Sequence, residues 1–295
     1  LMSDVEEIPT VIDIPRIFSN RDYLKKKLAK CPDPLIIEFW EKQALQVSKG
    51  QDLYLENVTP YITSKFTSFI SNDYMRPIIA QKKSTINFRK IMDEQKILLV
   101  NLAKGKIGDL NSSLLGLMIV GKLLMAAFSR VELPEEERKD FYLYIDEFQN
   151  FTTPSITTIL SEARKYRLDL IISHQFIAQL QDKIREAIFG NVGNMVVFRV
   201  GVKDAEFLVK QFEPVFNEND MINLDNFVAI AKLLVKNIPT RSFTMKTLPP
   251  PQGNSEIAKL LKEYSRLTYG TPRGLIEQEI REKYQKESED LLEME

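Results

Sequence analysis

The sequence predicts an α/β protein, a mostly parallel sheet with flanking helices preceded by an all-helical domain. Three observations predict it. Phe141–Ile145 is an almost wholly apolar, aromatic-rich run that stops abruptly at Asp146-Glu147. Such a run suits a strand buried on both faces, with two carboxylates at its C-terminal edge. A helical pattern of about fifteen residues follows, opened by Thr-Thr-Pro with Pro154 suited to the first turn. A second apolar run, Leu168–Ile172, then ends in Ser173-His174-Gln175. Finally, the spacing from Asn20 to Ile70 is helical, with no strand-like alternation.

Composition bounds the reading. With 295 residues, 44% of them hydrophobic, the chain can build one large domain and a smaller one. A net charge of −1 excludes a uniformly basic nucleic-acid binder but not a local basic stripe. One cysteine, Cys31, excludes an intramolecular disulfide and fits a reducing compartment. One histidine, His174, excludes a multi-histidine metal site. Residue 1 is Leu and no basic-then-apolar leader follows it, so the chain reads as cut from a longer protein.

Residues 1–19 read as an irregular lead-in with Pro9 and Pro15. Asn20 can cap a helix over residues 21–30, and Asp33-Pro34 can open one running to Val47. A longer amphipathic helix covers residues 52–70, with a kink or break expected at Pro60. Phe39 and Trp40 read as core residues of this bundle, and the run Lys25-Lys26-Lys27 as a solvated face.

Lys96–Leu102 reads as a buried strand. Residues 103–108 form a glycine-containing turn into a helix starting near Asp109, and the turn could offer backbone N–H groups or Lys104 to a phosphate. The segment Gly116 to Leu123 has the spacing of a phosphate-binding loop, G-x-x-x-x-G-K-[ST], but ends in Leu rather than a hydroxyl residue. It also lies within a continuous helical apolar run, where N–H groups are already bonded, so it is plain helix. That run, with Lys122 inside it, is too short for a membrane span. No phosphate-binding loop of this type exists in these residues.

Glu135–Glu137 is a charged loop. Beyond the second strand, residues 176–189 read as helix, residues 194–200 as a strand, residues 204–212 and 220–224 as helices. Residues 227–235 read as a late strand, paired antiparallel with residues 241–248. Pro249–Pro251 closes the globular part, and residues 256–295 read as a charged, peripheral helical tail.

Polar residues at the C-terminal ends of neighbouring parallel strands are where open α/β sheets bind ligands. Strand–helix–strand with Asp146-Glu147 after the first strand and Gln175 after the second is the arrangement of a nucleotide-hydrolysing core. There Asp146 would hold the Mg²⁺ bridging the β- and γ-phosphates, Glu147 would polarise the attacking water, and Gln175 would sense the γ-phosphate. The bland alternative is a solvated strand end. His174 reads as a polar neighbour of Gln175 rather than a general base.

The stretches YIDEFQNF, SEARKYRLDLIISHQFIAQL, NLAKGKIGDLNSSLLG and FEPVFNENDMINL together resemble the type IV coupling proteins, the TraD/TraG-like members of the HerA–FtsK superfamily. The resemblance runs from about Gln51 to Pro251. It implies a RecA-like P-loop NTPase core that binds ATP and Mg²⁺, assembles as a homo-hexameric ring and moves DNA through it. It also implies secretion or relaxosome partners and a cytoplasmic position in a membrane-associated bacterial protein, with the membrane anchor outside these residues. The family's phosphate loop would then lie upstream of Leu1. Residues 1–80 would be the inserted helical domain, 81–251 the C-terminal part of the motor, and 252–295 the tail.

By the same resemblance, Arg164, with Arg167 in reserve, would reach into a neighbouring subunit's site as an arginine finger. The alternative for both is a solvated cation near a helix C-terminus. Lys104 and Gly105 would belong to the nucleotide-binding core. Residues 74–131 hold ten Lys/Arg against three acids. Lys82, Lys83, Arg89 and Lys90 there are candidates for phosphate contacts to DNA, against the equal alternative of an ordinary surface. Two competing readings are an export ATPase of the same secretion machinery and a RecA-like domain that has lost catalysis.

Overall fold

The computed structural model describes residues 1, 7–44, 53–102, 104–152 and 156–292. Pro154, Val47, Asp52 and Ala103, invoked above, lie outside them. The chain divides into two units: Leu1–Ile86, Ala103–Ser112 and Glu256–Glu295 form one, Asn87–Leu102 and Ser113–Ser255 the other.

The second unit holds the sheet. Strands β1 (Phe141–Ile145) and β2 (Leu168–Ile172) pair in parallel, Phe141 opposite Leu168 and Ile145 opposite Ile172. The connection is the helix Ile156–Glu162 and a 3₁₀ turn, Ala163–Tyr166, closed by Arg167 at φ 54°. The pair packs on one face through Phe141, Ile145, Phe148, Phe151 and Leu168. Against them lie Leu123, Ala126 and Ala127 from the helix Asp109–Phe128, and Ile184 and Ile188 from the helix Asp182–Asn191. Each large apolar side chain so buried contributes roughly 1.5–3 kcal/mol. Gly116 is required at its position, since a Cβ there would lie 2.3 Å from the Phe151 ring and 2.9 Å from Leu102. The supposed phosphate loop is thus ordinary helix. By length and composition Asp109–Glu132 could cross a membrane, yet its buried face is the floor of this core.

A three-stranded antiparallel sheet completes the unit: β3 (Met195–Val197), β4 (Val228–Lys232) and β7 (Phe243–Lys246), in the order β3-β4-β7. The expected pairing of the two late segments is observed. Between β4 and β7 sits a hairpin of β5 (Leu234–Val235) and β6 (Ile238–Pro239). Its turn, Lys236-Asn237, has both φ angles positive, 53° and 63°, as a tight hairpin requires. The helix Val202–Phe212 covers the sheet with Ala205, Leu208 and Phe212.

Several expectations fail here. Tyr142 and Tyr144 on β1 are 57% and 72% exposed, so the strand is buried on one face only. Lys96–Leu102 forms no strand. It pairs with no described strand, and Ile97 and Leu99 stand exposed. An apolar run becomes a strand only where a neighbour takes its N–H and C=O groups. Residues 176–189 are a 3₁₀ turn, Ile177–Gln179, and a separate helix from Asp182.

The first unit is helical. Asn20 caps Arg21–Ala29 by accepting from the Tyr23 N–H, and Asp33 caps Pro34–Phe39 through the Leu35 N–H. The helix Leu53–Ile70 runs through Pro60 without a break. The lead-in is more ordered than expected: Val11–Asp13 and Ile14–Ser19 are helical. Trp40 packs on Ile17, Tyr23 and Leu24, but Phe39 is exposed.

Lys27 leaves the solvated face assigned to it and is buried against Glu7 at 2.5 Å. The C-terminal helix Arg273–Leu292 is no peripheral tail. Ile276 is buried, Lys283 bonds Glu7 at 2.9 Å and Asp13 at 2.8 Å, and Arg16 stacks between the rings of Tyr23 and Tyr284. Burial alone would raise the Glu7 carboxyl, but hydrogen bonds from Lys27 and Lys283 outweigh it and hold it at about 2.

Candidate functional site

The register of β1 and β2 brings their C-terminal ends level, so Asp146 and Ser173 leave the sheet side by side. The ladder continues past the strands: Ser173 N–H donates to the Ile145 carbonyl at 3.0 Å, and Phe148 N–H to the Ser173 carbonyl at 2.9 Å. Between them the chain must turn sharply, and it does so at Glu147, a left-handed residue with φ 49° and ψ 45°. A non-glycine residue there is strained by about 1 kcal/mol or more. The buried rings of Phe148 and Phe151 fix the 3₁₀ turn that follows and so hold the strained backbone in place.

The side chains form one polar cluster. Asp146 Oδ1 accepts from the Ser173 hydroxyl at 2.5 Å and from the Glu147 N–H at 3.0 Å. Glu147 Oε1 accepts from Gln175 Nε2 at 2.6 Å, and Oε2 from Gln149 Nε2 at 2.7 Å. Asn150 Nδ2 donates to the Glu147 carbonyl at 3.1 Å. Among the described residues every donor to the two carboxylates is neutral, so no cation pairs with them at this strand edge. Three of the expected residues, Asp146, Glu147 and Gln175, therefore meet. Ser173 and Gln149 join them unforeseen. Ser173 was legible in principle, because two apolar runs of equal length in parallel register place their next residues opposite one another.

His174 points elsewhere. Burial lowers its pKa below 6.5, against the opposing pull of Asp204, so burial favours the neutral ring. Among the described residues no group of three or more His, Cys, Asp or Glu could hold a metal alone. A pair of carboxylates is enough for Mg²⁺, which keeps waters and takes its remaining ligands from phosphates.

The arginines lie at the other edge. Arg164 sits on the Ala163–Tyr166 turn and Arg167 immediately before β2, with Arg167 Nη1 3.5 Å from Asp140. A strand of five residues at about 3.3 Å each separates them from Asp146, so neither can reach the carboxylates of its own chain. The Arg164 guanidinium is exposed and has no ion-pair or hydrogen-bond partner among the described residues.

Lys104 lies in the first unit, in the one-turn helix Lys104–Ile107, 3.6 Å from Asp109. Gly105 beside it has open space around it, and the turn closes at Gly108 with φ +83°. Of the DNA candidates, Lys82 and Lys83 are exposed in the loop after Met75–Ile79. Arg89 is bound to Asp93 and Glu132, and Lys90 lies 3.5 Å from Glu94, so these two are partly neutralised.

Residues 140–211, which contain Asp146, Glu147, Arg164, Arg167 and Gln175, match a family described as the TraM recognition site of TraD and TraG. The bacterial conjugative coupling protein TrwB in an unbound form superposes with a TM-score of 0.53 at 14% identity, covering 81% of this chain and 63% of that one. TrwB structures with the non-hydrolysable analogues GDPNP and ADPNP superpose with TM-scores of 0.53 and 0.52 at 13% identity, with the same coverage. The chain spans about 63% of the length of these structures. At such identities the likeness is one of fold. The comparison with curated proteins finds no match. Residues 140–211 are thus similar in sequence to that family, and most of the chain shares the mixed α/β fold of the TrwB coupling protein.

Proposed function

We propose that this chain is the hydrolytic part of an ATP-driven motor that moves DNA in a conjugative or type IV secretion system. The observation that carries the reading is the cluster of Asp146, Glu147, Ser173 and Gln175 at the level ends of two parallel strands. Asp146 supplies an exposed carboxylate for the Mg²⁺ of a bound nucleotide, with Ser173 fixing its rotamer. Glu147, held by Gln149 and Gln175 on its two oxygens, aims a carboxylate where an attacking water would stand. Gln175 bridges β2 to that carboxylate, so a change at the γ-phosphate reaches the second strand through one hydrogen bond.

Nucleotide binding needs a phosphate loop that these residues do not contain, so Lys104 and Gly105 are at most accessory to it. Arg164, out of reach of its own carboxylates, would serve a neighbouring subunit in a ring. Lys82 and Lys83 are the better of the four DNA contacts, since Arg89 and Lys90 already have acidic partners. The matched family's description supports a TraM-like relaxosome protein as the partner for residues 140–211. The bacterial cytoplasm is the compartment in which such a motor meets ATP, and residues 81–251 are its motor part.

The test is ATP hydrolysis by the full-length protein with and without DNA. DNA-stimulated turnover that disappears in Glu147→Gln, with nucleotide binding kept, is the expected result. Turnover indifferent to DNA would favour an export ATPase of the same machinery, and unchanged turnover in Glu147→Gln would overturn the reading.

A further inference from the structure

The turn that carries Arg164 is held by an arginine network that plays no part in the carboxylate cluster. Arg130, fully buried, donates from Nη1 to the carbonyls of Lys139 at 2.8 Å and Tyr166 at 3.0 Å. Arg138 donates from Nη1 to the Lys165 carbonyl, and from Nε and Nη2 to the Leu133 carbonyl at 3.0 and 2.8 Å. Two successive carbonyls of a four-residue turn thus each take a guanidinium. The Tyr166 ring is fixed as well, 4.9 Å from Phe128 and 5.7 Å from the Arg138 guanidinium. Ala163 is buried at the start of the turn, and Arg167 N–H closes it onto the Arg164 carbonyl at 3.0 Å. The backbone of the turn is tied down, while the exposed side chains of Arg164 and Lys165 have no hydrogen-bond or ion-pair partner among the described residues.

Stability alone is a poor account of this arrangement. A buried arginine costs several kcal/mol of desolvation, and an apolar side chain of like volume often serves a core as well or better. Among the described residues Arg130 has one carboxylate partner, Asp93, 3.2 Å away, and that carboxylate is shared with Arg89. What the guanidiniums supply and an apolar residue cannot is a fixed, planar set of donors for backbone carbonyls.

We propose that Arg130 and Arg138 are positioning residues for Arg164, setting the backbone from which its guanidinium projects toward a neighbouring subunit. The inference rests on the trans-acting role given to Arg164 above.

The test is a double-mutant cycle on DNA-stimulated ATPase of the full-length protein, with Glu147→Gln alongside. Arg164→Ala is expected to lower kcat by about 10³-fold, the lower end of what an arginine finger contributes. Arg138→Ala should lower kcat about tenfold with KM for ATP unchanged, and Arg138→Ala/Arg164→Ala should be no slower than Arg164→Ala. Arg138→Lys, which keeps the charge and reaches one carbonyl at a time, should recover part of the loss and guards against a fold defect in the alanine variant. Multiplying losses in the double variant, or a raised KM in Arg138→Ala, would overturn the positioning role while a dead Glu147→Gln left the motor reading intact. A fully active Arg164→Ala would also overturn it. A fully active Glu147→Gln would instead bring down the motor reading beneath it.

Discussion

The two ends of the β1–β2 pair are built from opposite chemistry. At the C-terminal edge, two carboxylates are held by neutral donors, Ser173, Gln149 and Gln175, with no cation bonded to them among the described residues. At the N-terminal edge, guanidiniums bond backbone carbonyls, and the exposed Arg164 side chain has no hydrogen-bond or ion-pair partner among the described residues. Under the proposed function, one edge would receive a cation and a phosphate, and the other would offer a positive charge to a neighbouring subunit. A single chain cannot join them, because the strands hold them apart. Under the proposed function, two copies in a ring would complete a site together.

The contrast can be broken in order of expected effect. Glu147→Gln should lower turnover of the full-length protein about 10²–10³-fold, near 3–4 kcal/mol of barrier, with nucleotide binding kept. Steady-state hydrolysis beside a nucleotide-binding titration reads it. Gln175→Ala, which frees one oxygen of Glu147, should cost about tenfold.

Next, Arg130→Ala should lower the unfolding free energy by about 3 kcal/mol, since it removes a fully buried side chain, the donors to two part-buried carbonyls and one of the two cations on Asp93. Asp146→Asn, exposed at the other edge, should cost under about 1 kcal/mol. Denaturant titration compares them, and equal losses would erase the distinction between a structural and a functional edge. Gly116→Ala should cost about 1–2 kcal/mol by pressing on Phe151, whose turn also holds Gln149. A fall in turnover beyond that predicted from stability would show that this packing aims Glu147.

The smallest effects are in pH. His174 is depressed below 6.5 by burial, so the unfolded chain takes its proton first. Stability is full above pH 6.5 and falls as the pH drops toward the folded value. Asp169 is raised above 3.8, by burial and then by Asp140, so the folded chain takes its proton first. Its contribution is present below pH 3.8 and is lost as the pH rises through the folded value. Melting temperature against pH should lose its slope below pH 6.5 in His174→Asn, and its opposite slope above pH 3.8 in Asp169→Asn. Unchanged profiles would remove the electrical difference between the edges.

Much of this edge was legible. The abrupt end of two apolar runs in Asp146-Glu147 and Ser173-His174-Gln175 locates the strands, their direction and three of the five clustered residues. Asn20 and Asp33 announce their helices, because a side-chain oxygen before a helical run has one local use. Lys96–Leu102 misled, as its apolar residues carry the strand signal without the partner that would realise it. Lys27 and Lys283 misled in the opposite sense. Charged-run arithmetic places lysines in water, whereas Glu7 and Asp13, distant in sequence, draw both into a buried network.

By itself the sequence determined what short-range physics controls: where strands and helices begin and end, which glycine run is plain helix, and which polar residues cap the strands. The tertiary structure alone decided what depends on chain segments far apart. It paired Asp146 with Ser173 and Glu147 with Gln175, and drew Arg130 and Arg138 onto the turn of Arg164. Those bonds close loops of tens of residues, and their loop entropy is offset only when the whole core packs at once.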